Sequence, residues 1–179
     1  MTHIPKPTPE ELIRKTFARF AEEEILPVAR RLDEQGKFPR WMFEKIATTG
    51  AFGIRYPRSV GGAGGNTTQF CIMVEELAKA SMSIAAFTAM QCLMGTNFLF
   101  EYGTPEQHEK LLKPAIRGEK VASFALTEAD AATDLAAVKT TAVLKGDRWI
   151  INGSKTWITN APVADFFTVL CQTDKKKGL

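Results

Sequence analysis

The stretch Phe124–Glu128 (FALTE), followed by Asp134 and then by Trp157–Asn160 (WITN), decides how the rest of this chain is interpreted. Small apolar residues, threonine hydroxyls and one indole lie on segments that the pattern predicts to be successive β-strands and the turns between them. Such a surface suits a flat aromatic ligand whose charged tail meets backbone amides. A flavin dinucleotide is a ligand of this kind. A plain hairpin with a buried tryptophan and strand threonines would show the same residues.

Short apolar segments with strand propensity surround this stretch. A turn signal, Lys145-Gly146-Asp147, separates two of them and predicts a hairpin. We expect the strands to pair antiparallel. The predicted strands are Val121–Leu126, Lys139–Leu144, Arg148–Asn152, Ser154–Thr159 and Asp165–Gln172.

Before residue 121 the apolar residues recur at helical spacing. The sequence Thr8-Pro9-Glu10-Glu11 predicts a capped helix start with a capping box. Pro27 is expected to kink the first helix, because it lacks the N–H that would bond back to Glu23. The predicted helices run from Thr8 to Gly36, from Arg40 to Thr49, from Thr67 to Ala80, from Ser83 to Tyr102 and from Pro105 to Arg117.

Helices followed by strands indicate an α+β fold rather than a Rossmann alternation. We therefore predict an all-α domain over residues 1–120 and a β-domain over residues 121–179. The glycine-rich loop 61–65 lacks the order of a phosphate-binding motif and is expected to be a chain reversal. The run Ser83–Tyr102 is apolar nearly all round, so we expect the most buried helix there and no membrane span.

Composition excludes several function classes. The chain has 179 residues, and its net charge of +3 is too small to indicate nucleic-acid binding. The basic run Lys175–Lys177 is expected to be a solvated turn. Cys71, Cys92 and Cys171 form no CxxC pair, and two of them are expected to be buried, which favours a reducing compartment over a disulfide framework or a metal site. With no apolar leader segment at the N-terminus, a cytoplasmic location is expected, and a mitochondrial one is less favoured.

Individual side chains in the helices have two interpretations each. Five apolar residues could line a ligand pocket, although a core role is favoured; they are Met82, Phe87, Met90, Met94 and Phe98. Gln91, Met94 and Phe98 are also candidates for the floor of an acyl pocket. His108 is expected to be solvated, His3 carries no argument, and Glu101 is interpreted as a helix-end charge.

The chain resembles the acyl-CoA dehydrogenase family in four phrases that occur in order along its length. The hairpin phrase Ile150–Ala161 (IINGSKTWITNA) is the most specific of them. The others are Glu24–Ala29 (EILPVA), Phe52–Ile54 followed by Gly61-Gly62, and Tyr102–Gln107 (YGTPEQ). The resemblance implies an N-terminal helical domain followed by an antiparallel, barrel-like β-domain, here incomplete.

The resemblance further implies an FAD-dependent oxidoreductase that converts an acyl-CoA thioester to the trans-2-enoyl-CoA and passes electrons to electron-transferring flavoprotein. Such enzymes act in the catabolism of fatty acids or other acids. They are usually homo-oligomers, either tetramers or dimers. The implied cofactor-binding residues are Phe124, Leu126, Thr127, Thr133, Trp157, Ile158 and Thr159, with Thr133 also beside the CoA arm of the substrate.

The chain departs from the family pattern in two respects. The usual Thr-Glu-Pro-x-Ala-Gly-Ser-Asp phrase becomes Thr127–Asp134 (TEADAATD), with Ala129, Ala132 and Thr133 replacing proline, glycine and serine. Alanine at position 132 would cost about 1 kcal/mol if the position required positive φ. The second departure is that the sequence reaches Leu179 within the expected β-domain. A catalytic glutamate is therefore expected outside it, either further along a longer polypeptide or in a complementing second chain. The given stretch alone is expected to be inactive, with exposed sheet edges and apolar surface.

Two alternatives remain open at this point. Flavin-dependent monooxygenases and nitroalkane oxidases share the scaffold and would consume oxygen without acyl-CoA. A flavin-free homologue that acts as a partner subunit is the second alternative, suggested by the substitutions at Ala129 and Ala132.

Overall fold

A computed structural model of the chain describes residues 6–174, in which helices precede strands as predicted. His3 and Lys175–Lys177 lie outside the described residues. Thr8 caps the first helix with the predicted capping box, and Thr104 repeats this arrangement before Pro105. The α-helices are α1 Pro9–Phe20, α2 Leu26–Gln35, α3 Arg40–Ala47, α4 Thr67–Ala80, α5 Met82–Ala89, α6 Gly95–Tyr102, α7 Pro105–Gln107 and α8 Lys113–Ile116.

At three junctions, consecutive α-helices are joined by a single five-residue turn of π-helix, called a π-turn below, rather than by a break. Near Pro27, where the sequence predicted a kink, the π-turn Ala21–Ile25 lies just before the proline. The wider turn bonds the Leu26 N–H to the carbonyl of Ala21, five residues back. The same device precedes Pro114, where the π-turn is His108–Leu112. A widened turn accommodates the missing donor and the ring of a proline without ending the helix.

The helical part packs around a cluster of aromatic rings. Phe43 lies at its centre, with the Phe52 ring centroid 4.5 Å away and the Phe87 centroid 6.0 Å away. Arg14 ties α1 to α4 through the buried Glu76, which also pairs with Lys79. The largest fully buried apolar side chains include Phe43, Phe52, Ile25, Met42, Ile46, Met73, Leu77 and Leu112.

The glycine-rich loop is a chain reversal, as predicted, and its amides are occupied by carbonyl groups of the segment just before it. The five N–H groups of residues 61–65 donate to carbonyls of residues 53–58 at 2.8–3.1 Å. A Cβ added at Gly62 would lie 2.0 Å from the carbonyl oxygen of Tyr56, so this close approach requires glycine. An anion at this loop would therefore meet no free amide of residues 61–65.

The strands form two pairs, and one of them corrects the sequence prediction. The pair β2–β3 is the predicted antiparallel hairpin, but β1 and β4 pair in parallel, with Ala122 opposite Phe166. The parallel pair arises because the chain leaves β1, makes the hairpin and returns to the same end before β4 begins. The strands are β1 Ala122–Ala125, β2 Thr141–Lys145, β3 Arg148–Asn152 and β4 Phe166–Val169.

The predicted strand Ser154–Thr159 is not a strand, which is a second correction. Trp157 and Asn160 have φ angles of 56° and 68°, in the left-handed region, so the segment cannot be extended. Gln172 joins the hairpin to the other pair, because its N–H donates to the Thr140 carbonyl and its carbonyl accepts from the Ala142 N–H.

The run Met82–Tyr102 packs along β1 as a core helix but is not buried all round. By length and composition it could cross a membrane, and half of its most apolar window is buried inside the protein. Phe87 and Met90 belong to the core as predicted, whereas Met82, Met94 and Phe98 are exposed. The helix packs against α4 and β1, and part of its surface remains exposed.

Two further expectations about single residues are corrected. His108 is half-buried rather than solvated, with Nε2 3.0 Å from the Leu99 carbonyl and its ring stacked on Phe100. Of the three cysteines, Cys92 is buried, Cys171 is half-buried and Cys71 is exposed.

Gln91 joins the helical part to the first strand through hydrogen bonds between its side-chain amide and the backbone. Its Nε2 donates to the carbonyls of Ala115 and Lys120 at 2.9 and 2.8 Å, and its Oε1 accepts from the Ala122 N–H at 2.8 Å. The side chain is 1% exposed, so Gln91 cannot form the floor of an open pocket. It fixes the start of β1 on the helices instead.

We expect Gln91→Met to lower the free energy of unfolding by about 3 kcal/mol, because it leaves the buried Ala122 N–H without its partner and removes one hydrogen bond each from the Ala115 and Lys120 carbonyls. Urea denaturation followed by circular dichroism measures this loss. Gln35→Met, at an exposed position near the end of α2, is the matched control and should stay within about 0.5 kcal/mol of wild type. A loss no larger than that of the control would contradict the role assigned to Gln91.

Candidate functional site

The strand β1 is held on both of its edges, and the predicted site residues lie where it ends. On one edge it pairs with β4. On the other edge it meets the irregular segment 155–160, where the Thr156 N–H donates to the Thr127 carbonyl at 2.9 Å. The Ser123 hydroxyl donates to the Thr159 carbonyl at 2.6 Å. These bonds bring two stretches that are about 30 residues apart in sequence onto one surface.

Trp157 stands out of this surface, with 89% of the residue exposed. Its backbone is in the left-handed region, which is strained for a residue other than glycine. The bond from Thr156 and the buried side chain of Asn160, whose Nδ2 lies 3.4 Å from the Ala122 carbonyl, fix the segment on either side of it. The indole is therefore a large apolar group on a constrained backbone, which suits contact with a flat aromatic ligand.

The other predicted cofactor residues fall into two groups. Leu126 and Thr127 are half-buried just after β1. On the facing segment Ile158 is half-buried and Thr159 is exposed, with the Thr159 carbonyl bonded to Ser123. Phe124 lies behind this group with its ring buried and stacked on Phe98, at a centroid distance of 5.5 Å. The bonds of Lys155 and Thr156 thus bring Leu126 and Thr127 close to the backbone just before Trp157. The Phe124 ring is turned toward the helices.

Thr133 lies away from that group, on the loop between β1 and β2. It is exposed, and the next residue, Asp134, accepts a hydrogen bond from the Ala136 N–H at 3.1 Å. Within residues 6–174, positive φ outside glycine occurs at Trp157 and Asn160, so Ala132 carries no left-handed strain. The cost in free energy of about 1 kcal/mol expected for alanine at a position with positive φ therefore does not apply to Ala132.

An apolar cleft of about 640 Å³ borders the site at Thr159. Sequence analysis did not identify this cleft, because its walls come from three separate parts of the chain. They are the end of α2 with the turn after it, the start of α5, and the turn 159–163. Its apolar lining residues are Leu32, Phe38, Pro39, Ile84, Phe87, Pro162 and Val163.

Glu128 and Lys155 form a buried ion pair directly behind the site, at 2.8 Å. Glu128 follows Thr127 in sequence and also accepts from the N–H groups of Lys139 and Thr140 at 2.8 and 3.0 Å. Lys155 Nζ also donates to the Leu126 carbonyl at 2.7 Å. The sequence held one signal that could have predicted this pair: Glu128 and Lys155 each lie next to a segment of mainly uncharged residues.

The bond from Lys155, with those from the Thr140 hydroxyl and the two backbone N–H groups, lowers the pKa of Glu128 from 4.5 to about 2. A carboxyl whose pKa is lower in the folded state stabilises the fold while it is ionised in both states. This contribution is complete above about pH 5 and is lost as the pH falls toward 2.

We expect the difference in unfolding free energy between wild type and Glu128→Gln to narrow as the pH is lowered from about 6 to about 3, because glutamine does not titrate. Urea denaturation at each pH measures the difference. The matched control, Glu34→Gln, removes only an exposed pair with Arg30 and should differ little from wild type throughout. A difference for Glu128→Gln that stays constant with pH would contradict the lowered pKa.

The comparisons with known proteins agree with this architecture. Residues 8–119 match the acyl-CoA dehydrogenase N-terminal domain, and residues 123–179 match the acyl-CoA dehydrogenase middle domain. The structure of a glutaryl-CoA dehydrogenase from Mycobacterium smegmatis in complex with FADH2 is similar, with a TM-score of 0.90 and 28% identity, over 94% of this chain and 44% of that chain.

Two named relatives are similar over nearly the whole chain. Benzylmalonyl-CoA dehydrogenase of Aromatoleum aromaticum is 48% identical over 170 residues, covering 95% of this chain and 45% of that protein. The 3-(aryl)acrylate reductase of Clostridium sporogenes is 46% identical over 169 residues, covering 94% and 45%. The chain spans about half the length of these relatives. The two domain matches, in the order of the helices and strands described above, show that the chain belongs to the acyl-CoA dehydrogenase family.

Proposed function

We propose that this chain carries the flavin-contacting strands of an FAD-dependent acyl-CoA dehydrogenase, with residues 1–120 as its helical domain and residues 121–179 as the first part of its middle β-domain. The observation that supports this most directly is the exposed indole of Trp157, which stands on a constrained backbone next to the bond between the Thr156 N–H and the Thr127 carbonyl. An isoalloxazine ring is flat, apolar on its faces and polar at its edge, and these residues match each property.

Covering the indole supplies binding free energy. Removing about 150 Å² of apolar surface from water contributes about 4 kcal/mol at about 25 cal/mol per Å². The hydroxyls of Thr127 and Thr159 give direction to this otherwise non-directional contact, because they can bond the polar edge of the ring. Phe124 and Ile158 support the surface from behind and between these groups. Thr133 is proposed to donate its hydroxyl to the pyrophosphate and to the CoA arm of the substrate.

When bound, FAD supplies the acceptor for the two electrons removed from the Cα–Cβ bond of the acyl-CoA thioester. The role of this chain's residues is to bind the ring, orient it and exclude water from its face. The base that takes the α-proton is proposed to be a glutamate outside residues 1–179.

We propose trans-2-enoyl-CoA as the product and electron-transferring flavoprotein as the electron acceptor. The proposed assembly is a homo-oligomer or a complex with a complementing second chain. The proposed location is cytoplasmic.

The names of the two relatives suggest which thioesters to test. One acts as a benzylmalonyl-CoA dehydrogenase and the other as a 3-(aryl)acrylate reductase. We therefore propose an aryl-substituted acyl thioester as the substrate class, and either direction of the reaction as its physiological one. Straight-chain butyryl-CoA serves as the comparison substrate.

The proposal is tested with the protein purified together with any polypeptide that copurifies with it. We expect a yellow preparation whose flavin absorbance is bleached anaerobically by 3-phenylpropionyl-CoA and re-oxidises on addition of electron-transferring flavoprotein. Oxygen consumption without acyl-CoA would instead support the oxidase alternative. A colourless preparation that takes up no added FAD would support the flavin-free partner.

We expect Trp157→Ala to weaken FAD binding at least about tenfold, because it removes the proposed contact with the ring. The free energy of unfolding should stay nearly unchanged, because the exposed indole makes little contact within the chain. Quenching of FAD fluorescence measures the Kd, and urea denaturation measures stability.

Trp149→Ala is the matched control, since this tryptophan is 55% exposed on β3 and lies outside the proposed site. It should leave the Kd within about twofold of wild type. Equal effects of the two substitutions on the Kd would contradict the assignment of Trp157 to the flavin.

A further inference from the structure

Two charged side chains behind the site are almost fully withdrawn from solvent. The side chains of Glu128 and Lys155 are 7% and 10% exposed. Most other lysine–carboxylate pairs described in residues 6–174 are far more open, as with Lys45 and Glu24 at 42% and 34%. Desolvation opposes the attraction within a buried charge pair, so its stabilising effect alone does not explain why both charges are placed here. The bonds that the two side chains make indicate a role in addition to stability.

The bonds of the pair identify that role, because they go to the backbone on either side of the proposed flavin surface. Lys155 Nζ donates to the carbonyl of Leu126, one of the residues proposed to contact the ring. Glu128 accepts from the backbone of residues 139 and 140, which closes the loop that contains Thr133. The hydroxyl of Thr140 donates to the same carboxylate.

Sequence position adds to this geometry. Lys155 lies two residues before Trp157, and Glu128 directly follows Thr127. The residue between Lys155 and Trp157, Thr156, donates its N–H to the carbonyl of Thr127, the residue before Glu128. A left-handed backbone at a tryptophan persists only where neighbouring contacts determine it, and these are the contacts on its N-terminal side.

We propose that Lys155 and Glu128 are positioning residues for the flavin: the pair locks the end of β1 to the segment before Trp157 and so holds the indole in its binding orientation. Neither side chain is exposed enough to touch the ring, and both act through Leu126, Thr127 and Trp157. This inference rests on the proposed function, and it adds two residues that act from behind the binding surface.

The test compares Lys155→Met with Lys155→Arg, which keeps the charge and the donors. We expect Lys155→Met to raise the Kd for FAD about tenfold or more and to change the visible circular dichroism of any bound flavin. We expect Lys155→Arg to recover most of the affinity. Glu128→Gln should weaken binding in the same direction, and the double variant should lose less than the sum of the single losses.

Hydrogen exchange separates positioning from general destabilisation and needs no flavin. In Lys155→Met the Thr156 amide should exchange about tenfold faster or more, whereas the Phe43 amide in the helical core should keep its protection. Lys45→Met is the matched control, because it breaks a lysine–glutamate pair between helical segments. It should leave both the Thr156 amide and the Kd for FAD unchanged.

Wild-type affinity together with wild-type exchange at Thr156 in Lys155→Met would overturn the proposal. So would parallel acceleration at Thr156 and Phe43, since that indicates a purely structural role. Should Lys155→Met fail to fold by circular dichroism, Glu128→Gln is judged by the same two criteria. If wild type binds no FAD, the proposed function fails, while exchange at Thr156 still decides whether the pair positions Trp157.

Discussion

The hydrogen bonds between β1 and the irregular segment 155–160 are the constraint on which the candidate site depends. A two-stranded parallel pair such as β1–β4 has little independent stability, and its free edge would expose unpaired backbone groups. The segment 155–160 covers that edge without being a strand. It uses the Thr156 amide and the Thr159 carbonyl, and the side chains of Lys155 and Asn160. Because it is not extended, it can turn Trp157 outward while its neighbours stay anchored.

The helices supply the base against which β1 is fixed. Gln91 bonds the first amide of the strand, and Gly95 allows a close approach, since a Cβ there would lie 2.8 Å from the Ala122 Cβ. Both residues adjoin the π-turn Met90–Met94 or lie within it. A regular α-helix at this point would rotate the following residues by a different angle and would change which side chains face the strand. The helical part therefore sets the position of the binding surface as well as burying its reverse side.

Local chemistry made much of this fold predictable. Thr8 and Thr104 each combine a capping hydroxyl, a proline and a side chain three residues on that completes the box, and both helices begin there. The turn at Gly146, with a φ of 63°, likewise follows from its glycine between two β-rich segments. The assignment of Thr127, Trp157 and Thr159 to one surface came from the family resemblance and stays a prediction; the structure places the Thr127 carbonyl on the amide of Thr156, the residue before Trp157.

The remaining features depend on contacts that are distant in sequence, and for this reason no local pattern revealed them. Trp157 has high strand propensity, but the Thr156–Thr127 bond and the bonds of Asn160 impose a left-handed backbone on it. The parallel pairing of β1 with β4 joins residues about 44 positions apart. The Lys155–Glu128 pair spans 27 positions, and each charge taken alone resembles an ordinary surface residue.

The hairpin β2–β3, which adjoins the candidate site, exposes much apolar surface. Apolar side chains are exposed along both of its strands; they are Val143, Leu144, Trp149, Ile150 and Ile151. They lie at successive positions, so they occupy both faces of the hairpin, and both faces favour contact with further protein. Thr140, which bonds Glu128, immediately precedes β2. The hairpin is therefore joined to the buried ion pair by the residue before its first strand, so the proposed binding surface and the exposed hairpin share one hydrogen-bonded framework.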